Sequence, residues 1–153
     1  MSVENVRKFF LDRNLEDPVF TLDESGATVD LAAETIGVNP EFIAKTLAFN
    51  VKEKKVLVVT RGDARVDNKK FKQLFKTKAR MINSEDVESS IGHPVGGVCP
   101  FGVKDDVEIF IDESIRDFEY VYPAAGSKNT ALKISPSQIE ELTNASWVDV
   151  CTY

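Results

Sequence analysis

Thr46-Leu47-Ala48-Phe49-Asn50-Val51-Lys52-Glu53-Lys54-Lys55-Val56-Leu57-Val58-Val59-Thr60 is the stretch that decides the fold. Two apolar runs, 46–51 and 55–60, flank Lys52-Glu53-Lys54, which is the pattern of a β-hairpin. The second run is nearly all apolar and reads as a central strand covered on both faces. Upstream, Val3, Val6, Phe9 and Phe10 recur at helical spacing and predict an amphipathic helix ending near Asn14. Val19-Phe20-Thr21-Leu22 reads as a short strand. Thr28 caps a helix through Thr35 that Gly37 stops, and Asn39-Pro40 starts another short helix.

Downstream of the hairpin, Asp67 or Asn68 caps a helix that turns Phe71, Leu74 and Phe75 inward and its lysines outward. Met81-Ile82 is a brief strand, and Ser84 caps a helix that stops at Gly92. Residues 107–111, 120–122 and 130–134 read as strands. Ser135-Pro136-Ser137-Gln138 carries a capping box with proline at the first helical position. Trp147-Val148-Asp149-Val150 closes the chain in extended form. The mixture predicts one α/β domain over residues 1–153, a central mixed, mostly antiparallel sheet surrounded by helices.

The chain has 153 residues, 42% hydrophobic and 29% charged, a composition of globular proteins rather than disordered ones. No apolar run approaches the ~20 residues of a membrane span, so no membrane association is expected. The polar start Met1-Ser2-Val3-Glu4-Asn5 shows no signal peptide. Cys99 and Cys151 are too few for a disulfide scaffold or a thiol-ligated zinc site. A reduced cytoplasmic protein that needs no metal or cofactor is the expectation. The net charge of −6 is unevenly spread: residues 52–80 hold eleven Lys/Arg against Glu53, Asp63 and Asp67, a local charge of +8. Such a segment is either a solvated face or a contact for an anionic partner such as a phosphate backbone.

Two glycine clusters, 92–102 and 124–131, hold five of the eight glycines. Each is either a tight turn or a loop whose backbone approaches a ligand closely. The only histidine, His93, lies six residues before Cys99, a spacing compatible with a thiol nucleophile or with a thiol packed beneath a loop. Lys45 stands in the apolar stretch Phe42-Ile43-Ala44-Lys45-Thr46-Leu47-Ala48-Phe49. Its amine either snorkels to solvent or points into a pocket to bind a phosphate, carboxylate or carbonyl.

Taken in order, Lys45-Thr46, Gly92-x-x-x-Gly96-Gly97-x-x-Pro100-Phe101-Gly102 and Gly126-Ser127-x-Asn129-Thr130 resemble the YbaK/prolyl-tRNA-synthetase-associated editing family, over essentially the whole chain. The resemblance implies hydrolysis of the ester that joins a wrong amino acid to the 3′ end of tRNA, without metal or covalent nucleophile. It implies that Lys45 positions the terminal adenosine or acyl group, and that the amides of Gly96 and Gly97 form an oxyanion site. By the same resemblance, Thr46, Thr60, Gly92, Pro100, Phe101, Gly102, Gly126, Ser127, Asn129 and Thr130 bind substrate. Lys69, Lys70 and Lys72 would then lie beside the acceptor stem. The implied partners are a mischarged aminoacyl-tRNA, with tRNA(Pro) leading, and a transient synthetase contact. In the cysteine-selective branch the second loop is richer in glycine and basic residues; here it reads Pro123-Ala124-Ala125-Gly126-Ser127-Lys128-Asn129-Thr130-Ala131, which leaves Cys, Ala and Ser open as the residue removed. Two other functions stay open: a non-catalytic tRNA- or nucleotide-binding module of the same fold, and a Cys99-dependent thiol hydrolase.

Overall fold

The hairpin is the spine of the molecule. The computed structural model describes residues 2–153; Met1, part of the polar start noted above, lies outside them. Helix α1 (Ser2–Leu11) and strand β1 (Phe20–Thr21) precede α2 (Val29–Ile36), and a 3₁₀ turn at Pro40–Phe42 leads into β2 (Ile43–Val51) and β3 (Lys54–Arg61). There follow β4 (Arg65–Val66), α3 (Asn68–Phe75), α4 (Ser84–Ile91), β5 (Val107–Asp112), a second 3₁₀ turn, β6 (Tyr122–Pro123) and β7 (Thr130–Ala131). The chain ends with α5 (Pro136–Thr143), β8 (Ser146–Val148) and β9 (Cys151–Thr152).

The main sheet runs β6-β2-β3-β5-β8, with two-stranded β1-β7 and β4-β9 pairs beside it. It is mixed, but its parallel pairings outnumber the antiparallel one. Only β2 and β3 are antiparallel, with Lys45 opposite Thr60 and Leu47 opposite Val58. β2–β6, β3–β5 and β5–β8 are parallel. The reason is the connections: α3 and α4 intervene before β5 and α5 before β8, and helical crossovers return strands in the same direction.

Central placement of β3 explains its composition. Val56, Leu57, Val58 and Val59 are all buried because both sheet faces are covered. On one face, Phe49, Val56 and Val58 pack with Phe71 of α3 and with Val150 and Cys151. On the other, Ala48 and Leu57 meet Val87 and Ile91 of α4, while Ala44 and Val59 join Val6 and Phe10 of α1, Phe101 and Ile139 of α5. Burying one such aliphatic side chain contributes roughly 1.5–3 kcal/mol.

The helix caps at Thr28, Asp67 and Ser135 are those expected, each accepting backbone N–H groups of the first turn. α1 ends at Leu11, three residues early, because Asn14 turns to φ 61° and the Leu15 N–H reaches back to Phe10 O. α4 begins at Ser84 but its cap is Asn83, with no side-chain capping bond. The expected strand at Met81-Ile82 reduces to one bridge, Phe49 to Met81, and the strands at 120–122, 130–134 and 147–150 are likewise shorter.

Candidate functional site

β6 covers only Ile43 and Ala44 of β2, so the strand edge from Lys45 onward is open apart from the Met81 bridge. A cavity of about 240 Å³ opens at this edge. Ala44, Thr46 and Ala48 contribute from β2, Thr28, Val29 and Ala32 from the start of α2, Gly96 and Val98 from the first glycine loop, and Ala124, Thr130 and Ala131 from the second. Among the described residues, Lys45 is the only charged residue lining it.

Strand geometry separates the two members of the Lys45-Thr46 motif, because successive side chains leave opposite faces. Lys45 shares the Leu47–Phe49 side, and its Nζ donates to the carbonyl of Ala64. Burial pushes this amine below the usual lysine range; the nearby Cys151 and Asp63 oppose the shift and Arg65 reinforces it. Thr46 lines the cavity with its Oγ1 buried and, among the described residues, without a hydrogen-bond partner. A buried hydroxyl left in that state costs about 1–3 kcal/mol, which a polar ligand atom removes.

The first glycine loop divides its amides. Gly97 N–H donates to Pro94 O at 3.0 Å, so it is already committed. Among the described residues, the N–H groups of Gly96 and Val98 have no protein acceptor, and both residues line the cavity. Of the two expected oxyanion donors, therefore, only Gly96 keeps a free amide, and Val98 joins it. Gly97 instead forms the junction of the two loops. Its carbonyl accepts the Gly126 N–H at 3.0 Å, and a Cβ there would lie 2.5 Å from the Gly126 carbonyl carbon.

Several expected substrate contacts are structural. Phe101 is fully buried, its ring tilted against Phe10 with centroids 4.9 Å apart, and Pro100 is buried beside it. Gly102 packs against the Asn5 carbonyl of α1 and Gly92 terminates α4. These residues fit the loop under α1 and do not line the cavity. Thr60, opposite Lys45 in the hairpin, is buried and donates to the Arg61 carbonyl at 3.2 Å. In the second loop, Ser127 Oγ donates to Asn129 Oδ1 at 2.8 Å and lies 2.8 Å from Thr130 Oγ1. Gly126 packs on Ser2, and only Thr130 of that motif reaches the cavity.

The thiol-hydrolase reading fails on geometry. Cys99 is fully buried, and burial pushes its thiol up to about 12. Its Sγ lies 3.6 Å from His93 Nε2, but that nitrogen is 2.7 Å from Phe101 O. A carbonyl only accepts, so Nε2 carries the proton and cannot act as a base toward the thiol.

The basic segment also divides. Lys69 and Lys72 are exposed on α3. Lys70 is not free for an acceptor stem: its Nζ bridges Asp149 Oδ1 at 3.0 Å and Cys151 O at 2.9 Å, stapling α3 to the C-terminal strand. A shallow polar groove formed by Asn50, Lys52, Thr77, Arg80 and Asn83 adjoins the cavity and shares Met81 with it. Among the described residues, no group of three or more His, Cys, Asp or Glu converges to hold a metal ion, and no helix is long and apolar enough to cross a membrane.

Sequence reasoning missed the α2 wall and Met81, Val95 and Tyr122. The one local signal was Gly26-Ala27-Thr28, three small residues at a helix start. Its placement is long-range: Gly26 N–H donates to Lys128 O at 2.5 Å and Leu22 N–H to Asn129 O at 2.7 Å, docking this segment on the second glycine loop.

Relatives share this architecture. YwhH of Bacillus subtilis, an uncharacterized protein, is 44% identical over 153 residues, spanning 99% of this chain and 98% of its own. EbsC of Enterococcus faecalis, named as a candidate Cys-tRNA(Pro)/Cys-tRNA(Cys) deacylase, is 27% identical over 135 residues, 87% of this chain and 82% of its own. The crystal structure of a candidate trans-editing enzyme for prolyl tRNA synthetase superposes with a TM-score of 0.88 at 26% identity, covering 99% of this chain and 98% of that one. Residues 23–142 match the aminoacyl-tRNA editing domain. With its open β2 edge, its two docked glycine loops and a family match over most of its length, the chain belongs to the YbaK-like aminoacyl-tRNA editing domain family.

Proposed function

We propose that this chain, acting as one editing domain over residues 1–153, hydrolyses the ester of a mischarged aminoacyl-tRNA in trans, with tRNA(Pro) bearing Cys, Ala or Ser as the leading substrate. The observation that carries this reading is the pair of uncommitted amides, Gly96 and Val98, on the wall of a small cavity. Largely apolar surroundings and a volume of about 240 Å³ leave room for a small side chain beside the ester. The names of EbsC and of the trans-editing structure support the substrate class.

Chemically, water attacks the ester carbonyl carbon, and the π electrons move onto the carbonyl oxygen. The Gly96 and Val98 N–H groups receive that developing charge. A single such donor is worth roughly 3 kcal/mol where the site excludes water. Collapse of the tetrahedral species breaks the bond to the ribose oxygen, which takes up the proton lost by the attacking water, leaving free amino acid and a tRNA 3′-hydroxyl. In this reading Lys45 releases the Ala64 carbonyl on the far side of β2 and turns to the wall to orient the terminal nucleotide, and the Thr46 hydroxyl offers an unused hydrogen bond to the bound ester. The groove of Asn50, Lys52, Arg80 and Asn83 continues away from the cavity past Met81, a path on which polar and cationic groups meet a phosphate backbone.

The test is deacylation of tRNA(Pro) charged in turn with Pro, Ala, Cys and Ser by wild type and Lys45→Ala. One non-cognate residue is expected to be released, with the rate falling about 10²-fold in the variant, the scale of a lost positioning contact. Retained tRNA binding with no ester released from any species would instead make the chain a binding module.

A further inference from the structure

We propose that His93 is a positioning residue for deacylation: clamped between Ser2 and Phe101, it draws the ends of the first glycine loop together and aims the Gly96 and Val98 amides at the cavity. The inference rests on the reading of those amides as the oxyanion donors.

His93 is buried and does not line the cavity, so it touches no substrate. Its two ring nitrogens are nevertheless both used. Nε2–H donates to Phe101 O at 2.7 Å, and the assignment follows because a carbonyl has no proton to give. Nδ1 is then a bare acceptor and accepts a hydrogen bond from the Ser2 hydroxyl, 2.5 Å away. One neutral tautomer satisfies both bonds. Burial also lowers the imidazole pKa, which keeps that tautomer at neutral pH. The titratable side chain beside it is the Cys99 thiol, itself held protonated.

What the imidazole joins matters more than its burial. Residues 93 and 101 bracket Gly96-Gly97-Val98, so the Nε2 bond ties one end of that segment to the other. The Nδ1 bond ties the same point to the first residue of α1. Ser2 in turn lies under the second loop, where a Cβ on Gly126 would come within 2.9 Å of the Ser2 carbonyl. Gly126 then donates to Gly97 O, which closes the circuit through both loops. A free amide has no partner of its own to fix its direction, so the frame around it has to do so. Holding donors in place before reaction is what makes them effective.

The experiment compares single-turnover deacylation and tRNA affinity for wild type, His93→Ala, His93→Gln and Ser2→Ala. Glutamine places an amide N–H near the Nε2 position and restores the bond to Phe101 O. Expected are a rate loss of about 10²-fold for His93→Ala, recovery to within about fivefold of wild type in His93→Gln, and a loss of about threefold for Ser2→Ala, all with Kd within about twofold. A folded His93→Ala with the wild-type rate, or a loss carried by Kd, overturns the proposal. So does a folded His93→Gln as slow as His93→Ala. Should His93→Ala not fold, Ser2→Ala decides: an unchanged rate overturns the proposal, and a loss at constant Kd upholds it. A wild type that releases nothing defeats the reading of the site instead. In that case NMR of the sole imidazole and of the Gly96 and Val98 amides reads the clamp directly. Amide signals that stay put in His93→Gln but move in Ser2→Ala and His93→Ala uphold it, and signals indifferent to all three overturn it.

Discussion

The two loops differ in glycine content, four in residues 92–102 against Gly126 alone in residues 124–131, and they do different work. The first, residues 92–102, lines the cavity with Gly96 and Val98, whose amides have no acceptor among the described residues, and pins the rest of itself through Phe101, His93 and Gly102 against α1. The second, residues 124–131, spends its side-chain hydroxyls and amide internally, Ser127 bonding Asn129 and Thr130, while its backbone docks on neighbours: Gly126 donates to the first loop, and Lys128 and Asn129 accept from Gly26 and Leu22. One loop presents donors and the other buttresses it. Glycine density therefore marks where the backbone does something unusual, while the hydrogen-bond partners decide which loop faces a ligand.

Gly97→Ala tests the junction and carries the largest expected effect. Its Cβ would meet the Ser127 nitrogen and the Gly126 carbonyl carbon, both backbone, with no flexible side chain to yield. A loss of about 3 kcal/mol or more is expected in denaturant unfolding, the upper range for overpacking. Wild-type stability would show that the loops are not docked as described.

Gly96→Ala sharpens the contrast from the neighbouring position. Gly96 has φ +89°, but the nearest atoms to an added Cβ are the Lys128 Cβ at 3.3 Å and the Ala27 Cβ at 3.6 Å, which can give. The left-handed backbone alone accounts for a cost of about 1–2 kcal/mol. The rate should suffer along with the fold: a loss of about tenfold in single-turnover deacylation of the folded protein is expected as the donor amide shifts. If Gly96→Ala is as unstable as Gly97→Ala and the surviving folded fraction is fully active, the division of labour between the two glycines is refuted.

Local chemistry was legible and long-range placement was not. The hairpin, the buried β3 and the caps at Thr28, Asp67 and Ser135 are set by neighbours within a few residues, so periodicity and capping patterns reveal them. The order of the sheet depends on where crossovers land, and the sequence pattern overestimated its antiparallel share. Within the site, Thr46, Gly96 and Thr130 line the cavity, and Lys45 lines it while its amine is held by the Ala64 carbonyl. Phe101 and Pro100 sit in the same motif but face α1, because a bulky ring in a glycine loop finds more apolar surface under a helix than at a pocket mouth. The α2 wall was invisible because the β1–β7 pairing, Phe20 opposite Ala131, brings it from the other end of the chain.

Cys99→Ala is the smallest expected change and bears on the loop with the most suggestive residues. A histidine and a cysteine six residues apart invite a nucleophilic reading, and the two side chains do meet, at 3.6 Å. Contact is not activation. With the thiol pushed up to about 12, the thiolate fraction at pH 7 is about one part in 10⁵, and the imidazole proton on Nε2 is already given to Phe101 O. Removing one buried sulfur should cost about 1 kcal/mol of stability. The deacylation rate should stay within about twofold of wild type, since the donors are set by the backbone rather than by the thiol. A loss of about 10²-fold in a folded Cys99→Ala would move the chemistry from the amides of this loop to its sulfur, and would leave the Gly96 and Val98 N–H groups as geometry without a task.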